Sequence, residues 1–340
     1  MLQFVLRRLA LMVPVLVGLS LLLFAWVRAL PGDPARALLG QRATAQSVEN
    51  VTRLYGFDRP LHEQYFSYIG ALLRGDFGSS TQTGQPVVDL FKNGFPATAE
   101  LALCALAFAV VLGIPLGYFA ARRHGTALDS LTVGGSLLGV VVPVFFLAYL
   151  LKLVFAIGIG PFEALGVFPT SGRQDPRINA THVTEFYVLD GLLTQEWDAA
   201  WDALLHLVLP AVALGTIPLA IIVRITRAAV LDVTGEDYVR TAEAKGLLRG
   251  TISRRHVLRN ALLPVVTTVG LQAGLLLSGA VLTESVFAIN GLGRTLFEAI
   301  TLLDYPVLQG FILAIALMYA FINLAVDVLY GVIDPRVRVS

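Results

Sequence analysis

The sequence predicts an all-α integral membrane protein: six transmembrane helices, both termini cytoplasmic, an extracytoplasmic helical cap and one large cytoplasmic loop. Three observations predict it. The 340 residues are 56% hydrophobic and only 14% charged, against about 25% charged in soluble domains. Six uncharged runs (9–27, 101–121, 130–151, 203–223, 260–283 and 305–326) are each close to the roughly 20 residues that cross about 30 Å of hydrocarbon. The cations of the short loops fall predominantly on one side of those runs.

The first run follows Arg7 and Arg8 and could pass for a signal peptide. Its 19 apolar residues exceed a typical signal core, and Val27-Arg28-Ala29 is a poor cleavage site, so it reads as an uncleaved span. With flanking residues the spans are expected over about 9–30, 97–121, 130–157, 203–227, 260–284 and 305–330, in a single transmembrane domain covering 1–340. Arg7, Arg8, Arg122, Arg123, the basic region from 224 to 259, Arg336 and Arg338 share one side, which the positive-inside rule makes cytoplasmic. The opposite loop, 159–202, sets Arg173 and Arg177 against seven acids, including Glu185, Asp190, Glu196, Asp198 and Asp202.

Residues 31–95 are long enough to escape the charge rule and hold six acids and six bases. Pro31-Gly32-Asp33-Pro34 is a turn that cannot extend the first span. Leu61, Tyr65, Ile69 and Leu72 recur at helical spacing, with Glu63 and Gln64 off that face, so the segment reads as an extracytoplasmic cap of short helices. Pro14, Pro115, Pro143, Pro210, Pro218, Pro264 and Pro306 sit in or beside spans, where an interior proline removes a backbone hydrogen bond and bends its helix.

The chain is organised around 237–264, which takes up most of the loop 228–263. This stretch carries Arg240, Lys245, Arg249, Arg254, Arg255 and Arg259. Six cations near a bilayer centre would cost roughly 15–20 kcal/mol, so the stretch lies in water. Residues 237–244 favour a helix with Val239, Ala242 and Ala244 on one face, and Gly246 permits a sharp break. Ile252, Val257, Leu258, Ala261 and Leu262 then predict a second amphipathic helix ending at Pro264. A helix–Gly–helix hairpin is a shape for docking a soluble partner; the plainer alternative is a basic anchor for anionic lipid.

Here the chain resembles the permease subunits of ABC importers, in the dipeptide/oligopeptide (peptide/nickel) branch. Arg240-Thr241-Ala242 stand where the general EAA loop has Glu-Ala-Ala, and the gap from Gly246 to Pro264 is longer than in the general pattern. Both departures are similar to the peptide branch, with its YVRTA-x-AKGL and LRNALLP segments. The 31–35 PGDPA segment, Phe57-Asp58-Arg59-Pro60-Leu61, the 74–78 RGDFG segment, Phe95-Pro96-Ala97-Thr98-Ala99-Glu100-Leu101, the 284–293 segment and Asp334-Pro335-Arg336-Val337-Arg338 resemble the same branch. The resemblance implies that Asp237, Tyr238, Arg240, Thr241, Ala242, Glu243, Ala244, Lys245 and Gly246 form a coupling helix that docks on an ATPase. It further implies a second homologous permease, two ATP-binding subunits that carry the ATP and Mg2+, an extracytoplasmic substrate-binding protein, a peptide cargo and the bacterial cytoplasmic membrane.

Absent chemistry limits the rivals. The lysines are Lys92, Lys152 and Lys245, none in a GxxxxGK phosphate loop, so no ATP site of its own, no cofactor and no catalytic residue is expected. The five histidines show no metal-ligand spacing, and no GxSxG or HExxH exists, which argues against a membrane enzyme. Clustered in short loops, the basic residues do not fit a nucleic-acid binder. An ion-gradient-coupled carrier acting alone would want acids within its spans; the candidates, Glu284 and Asp327, sit at span ends where water is near. Cys104, the only cysteine, reads as packing.

Overall fold

The computed structural model describes residues 2–29, 43–55, 58–278 and 280–333. The 31–35 turn, Phe57 and the closing 334–338 segment lie outside them. Apart from one isolated bridge between Ser79 and Pro86, the regular elements among the described residues are helices. Five are long and apolar enough to cross a membrane. They are α1 (Leu2–Ala29), α4 (Val87–Arg122), α8 (Trp197–Thr234), α10 (Arg249–Leu277) and α13 (Tyr305–Ile333). Short helices α2 (Ala45–Tyr55) and α3 (Leu61–Leu73) precede α4.

The span expected over 130–157 is not one rod. It is a pair, α5 (Ala127–Val141) and α6 (Val144–Leu151, continued as a π-helix to Ile157), bent by 100°. Pro143 has no N–H to give, and it pushes Val142 to an extended backbone (φ −77°, ψ 124°), which ends the first arm. By contrast α4, α8 and α10 run unbroken through Pro96, Pro115, Pro210, Pro218 and Pro264.

Contacts define the two ends of the bundle. At one end Arg8 pairs with Asp327 at 3.2 Å, and Arg227 on α8 pairs with Asp129 on α5. At the other, Arg173 meets Glu100 on α4, and the Ser80 hydroxyl donates to Asp304 at 2.5 Å. The bent pair therefore joins opposite ends, since Asp129 starts it at the first and its trailing loop reaches Glu100 at the second.

The centre is the seam between α4 and α8. Ala105, Ala109, Ala213, Ala220, Ile222 and Val223 are inaccessible to solvent. Small residues bring the backbones together, as lipid-embedded helices require, because hydrophobicity gives no drive between them there. A Cβ added at Gly117 would lie 2.6 Å from the Val223 carbonyl oxygen, and one at Gly215 would lie 2.8 Å from that of Ala105.

Two expectations need correction at the second end. On α3 the expected face holds at Tyr65, Ile69 and Leu72, which are half-buried, but not at Leu61, which is 63% exposed. Gln64 is buried instead, accepting from Arg28 Nε at 2.9 Å and donating to the Arg59 carbonyl, beside Tyr65 packed edge-on against Phe24. The end of α1 thus presents a guanidinium that an amide satisfies, and a polar residue turns inward. Glu284 on α11 (Val281–Val286) is not near water: it is fully buried, 0% exposed. It accepts from the Thr98 hydroxyl at 2.6 Å and the Arg294 N–H at 2.8 Å, while Thr98 accepts the Leu292 N–H. Together they cap α12 (Leu292–Thr301), supplying partners for N–H groups that a helix start leaves unpaired. Asp327 keeps its place near a span end and is salt-bridged to Arg8.

The loop before α8 is held by a second carboxylate. Asp190, on α7 (Tyr187–Leu193), is buried and accepts the backbone N–H groups of Val183 and Thr184 and the Thr184 hydroxyl at 2.6 Å. Burial pushes its carboxyl up, but these hydrogen bonds outweigh that and hold it below the usual carboxylate value. A lowered folded value means stabilisation that is complete above the unfolded value of about 3.9 and is lost as pH falls through the folded one. Amide-exchange protection of residues 183–190 should hold from pH 7 to about pH 4 and decline below it, and Asp190→Asn should weaken it above about pH 4, with the difference shrinking at lower pH. Protection unchanged down to pH 2.5 would contradict this role.

Candidate functional site

At the basic end, α8 closes at Thr234 and the chain turns into α9 (Asp237–Ala244), which lies across the bundle end. Val239 and Ala242 point inward and are buried against Ala121, Val230, Ile252, Val257 and Ala261. Asp237, Arg240, Thr241, Glu243, Ala244, Lys245 and Gly246 are exposed. The helix is therefore clamped by two small apolar residues and offers its other faces outward. Ala242 belongs to the clamp rather than to the outward face.

The turn is built locally. The Gly246 N–H donates to the Glu243 carbonyl at 2.9 Å and the Leu247 N–H to that of Ala242 at 3.3 Å. With Gly246 at φ +75° this is a Schellman stop, which glycine adopts without strain. Nothing lies within 4 Å of a Cβ built at Gly246, so its free side faces open space.

The expected second helix ending at Pro264 is different in the structure. Residues 249–258 are the first turns of α10, with a π-helix over Ile252–Leu258, and the helix continues through Pro264 into the membrane. Whatever moves α9 therefore acts on a span directly. One pair joins them, with Asn260 Nδ2 donating to the Tyr238 hydroxyl at 2.8 Å, and a second ties α10 to α4, where the Tyr118 hydroxyl contacts the Ser253 hydroxyl closely.

Sequence reasoning missed the third element. Asp129, buried at the start of α5, accepts Arg227 Nε at 2.6 Å and Nη2 at 2.8 Å in a bidentate pair, and also the Gly125 N–H at 3.1 Å. His124 Nδ1 lies 2.9 Å from the same guanidinium, as an acceptor when the ring is neutral. The pair ties the bent limb to the helix that feeds α9. Its only sequence signal was an isolated acid in the first turn of an apolar run.

The arrangement offers a rigid, exposed, mixed-charge helix with mechanical links to α4, α8 and α10, and no nucleophile–base pair. Among the described residues no cluster of three or more His, Cys, Asp or Glu could hold a metal.

Residues 113–339 match the binding-protein-dependent transport system inner membrane component family, and residues 1–102 match its N-terminal membrane component. The chain belongs to this family. It is a multi-pass inner-membrane component of a binding-protein-dependent transport system, a transport component rather than an enzyme. Among this family's members, the dipeptide transport system permease protein DppB of Escherichia coli K12 is 44% identical over 99% of both chains. DppB of Alkalihalophilus pseudofirmus is 41% identical over 99% of this chain and 100% of its own length. The glutathione transport system permease protein GsiC of Escherichia coli O1:K1 is 38% identical over 99% of both. Among solved structures, the inward-facing MetNI methionine ABC transporter matches with a TM-score of 0.53 at 17% identity, covering 73% of this chain and 97% of its own, a likeness of fold.

Proposed function

We propose that this chain is a permease subunit of an ATP-driven importer that moves dipeptides or oligopeptides by alternating access. It forms half of the pathway with a second, homologous permease. Two ATPase subunits carry ATP and Mg2+ and grip α9 through Asp237, Tyr238, Arg240, Thr241, Glu243, Ala244, Lys245 and Gly246. An extracytoplasmic binding protein delivers cargo to the opposite end. The basic end and both termini lie in the cytoplasm, and α2 and α3 belong to an extracytoplasmic cap. The observation that carries this reading is α9 itself, clamped at Val239 and Ala242 with its outer face free and its stop at Gly246 open. The full-length likeness to dipeptide permeases supports the cargo class. A lone ion-coupled carrier is not favoured, since Glu284 is occupied in capping α12.

The test is uptake of a radiolabelled dipeptide in a strain lacking this chain and its homologues. Restoring the chain with its second permease, ATPases and binding protein should restore uptake that stops when ATP is depleted and survives collapse of the proton gradient. Uptake by this chain alone, driven by that gradient, would establish the carrier instead. In the same cells and a Cys104→Ser background, an impermeant thiol reagent should label Ser171→Cys from outside and not Thr241→Cys. The reverse pattern would invert the orientation.

A further inference from the structure

A slot of about 570 Å³ runs along the bundle between the first turns of α4 and one face of α13. Its α13 wall is a stripe from Gly310 through Ala314, Met318 and Ile322 to Ala325. At 1.5 Å per residue that stripe is about 22 Å long. Its α4 wall is Val87, Phe91 and Phe95, with one charged residue, Lys92. Lys92 is exposed and makes no hydrogen bond or ion pair among the described residues.

We propose that this slot binds one phospholipid of the leaflet at the end opposite α9, its acyl chain against α13 and its anionic phosphate at Lys92. An acyl chain fits, because the leaflet's half of the hydrocarbon is about 15 Å deep and the stripe exceeds it. The small side chain of Ala314 leaves the opening, Gly310 closes its end against Val87, and the aromatic rings of Phe91 and Phe95 line it. A lone cation beside an apolar slot in a membrane protein is complementary to a lipid headgroup, and a flexible lysine reaches toward the interface while its stem stays apolar. The occupant is thus an anionic lipid such as phosphatidylglycerol, rather than a zwitterionic one.

The experiment uses the full chain, co-purified with its transporter partners, and phosphatidylglycerol bearing a photoreactive acyl chain. Cross-links should map to 310–325 and 87–95. Ala314→Phe, which fills the slot from a half-exposed position, should reduce them at least fivefold. Lys92→Gln should remove the preference for phosphatidylglycerol over phosphatidylcholine while leaving cross-linking by both. Cross-links spread evenly over all faces of α13, or insensitive to Ala314→Phe, would overturn the site. Cross-links present in the isolated chain and lost in the assembled transporter would overturn it too, by making the slot a protein interface.

Discussion

Gly246→Val is expected to abolish substrate uptake while leaving the chain inserted and folded. Two effects add. Valine at φ +75° is strained, because an L side chain in the left-handed region costs about 1–2 kcal/mol and a β-branched one more. The stop that holds α9 at its angle to α10 then opens, so the Gly246–Glu243 and Leu247–Ala242 hydrogen bonds weaken. The added methyls also occupy the outward side of the turn, which is empty in the chain itself. Gly246→Asn separates the two effects. Asparagine tolerates positive φ, so the stop survives and only the outward side is filled. If α9 docks on an ATPase, Gly246→Asn should also lower uptake and loosen co-purification of the ATPase, by at least tenfold for the valine variant. Gly250→Val, in the first turn of α10 with open space around it, should be mild. Normal uptake and normal ATPase retention in Gly246→Val would remove α9 from the transport cycle.

The second large effect is expected at Asp129 and Arg227. Removing one partner of this bidentate pair, whose carboxylate is covered and whose guanidinium is half-buried, strands the remaining charge. Asp129→Ala should therefore lower the thermal midpoint of the purified chain clearly, and Arg227→Met similarly. In a double-mutant cycle the pair Asp129→Ala with Arg227→Met should cost much less than the sum, since neither charge is then stranded. Asp129→Asn keeps an acceptor for Arg227 and should fall between. Additive losses would mean that the two side chains do not act as a unit.

Much of the architecture is legible in the chain because membrane burial makes length and charge speak directly. An apolar run of about 20 residues has few alternatives, and the five long helices follow such runs. What is not legible depends on neighbours distant in sequence. Pro143 and Pro218 look alike in a list of prolines. The difference is that α8 is enclosed along most of its length and stays helical, whereas Val141, beside Pro143, is 76% exposed and nothing holds the break straight. Gln64 reads as outward-facing by polarity alone; only the guanidinium of Arg28 explains why it is inside. The cap formed by Thr98, Glu284 and Leu292 links positions almost 200 apart, which no local pattern records. In the loop 228–263 the stop at Gly246 is local chemistry and is visible early. The fusion of the following segment with α10 is not, because a proline at 264 reads as an end when the helix around it has enough other bonds to pass through it.

The α4–α8 seam has a mechanical consequence. With Gly117 against the Val223 carbonyl and Gly215 against that of Ala105, the two backbones have no layer of side chains between them to act as a bearing. A slip of one residue, 1.5 Å along either axis, would drive alanine or isoleucine atoms into the opposing main chain. These helices are obliged to turn together, as a fulcrum. Any opening of the bundle falls to the parts mounted around it, the limb bent at Pro143 and the α10–α13 pair.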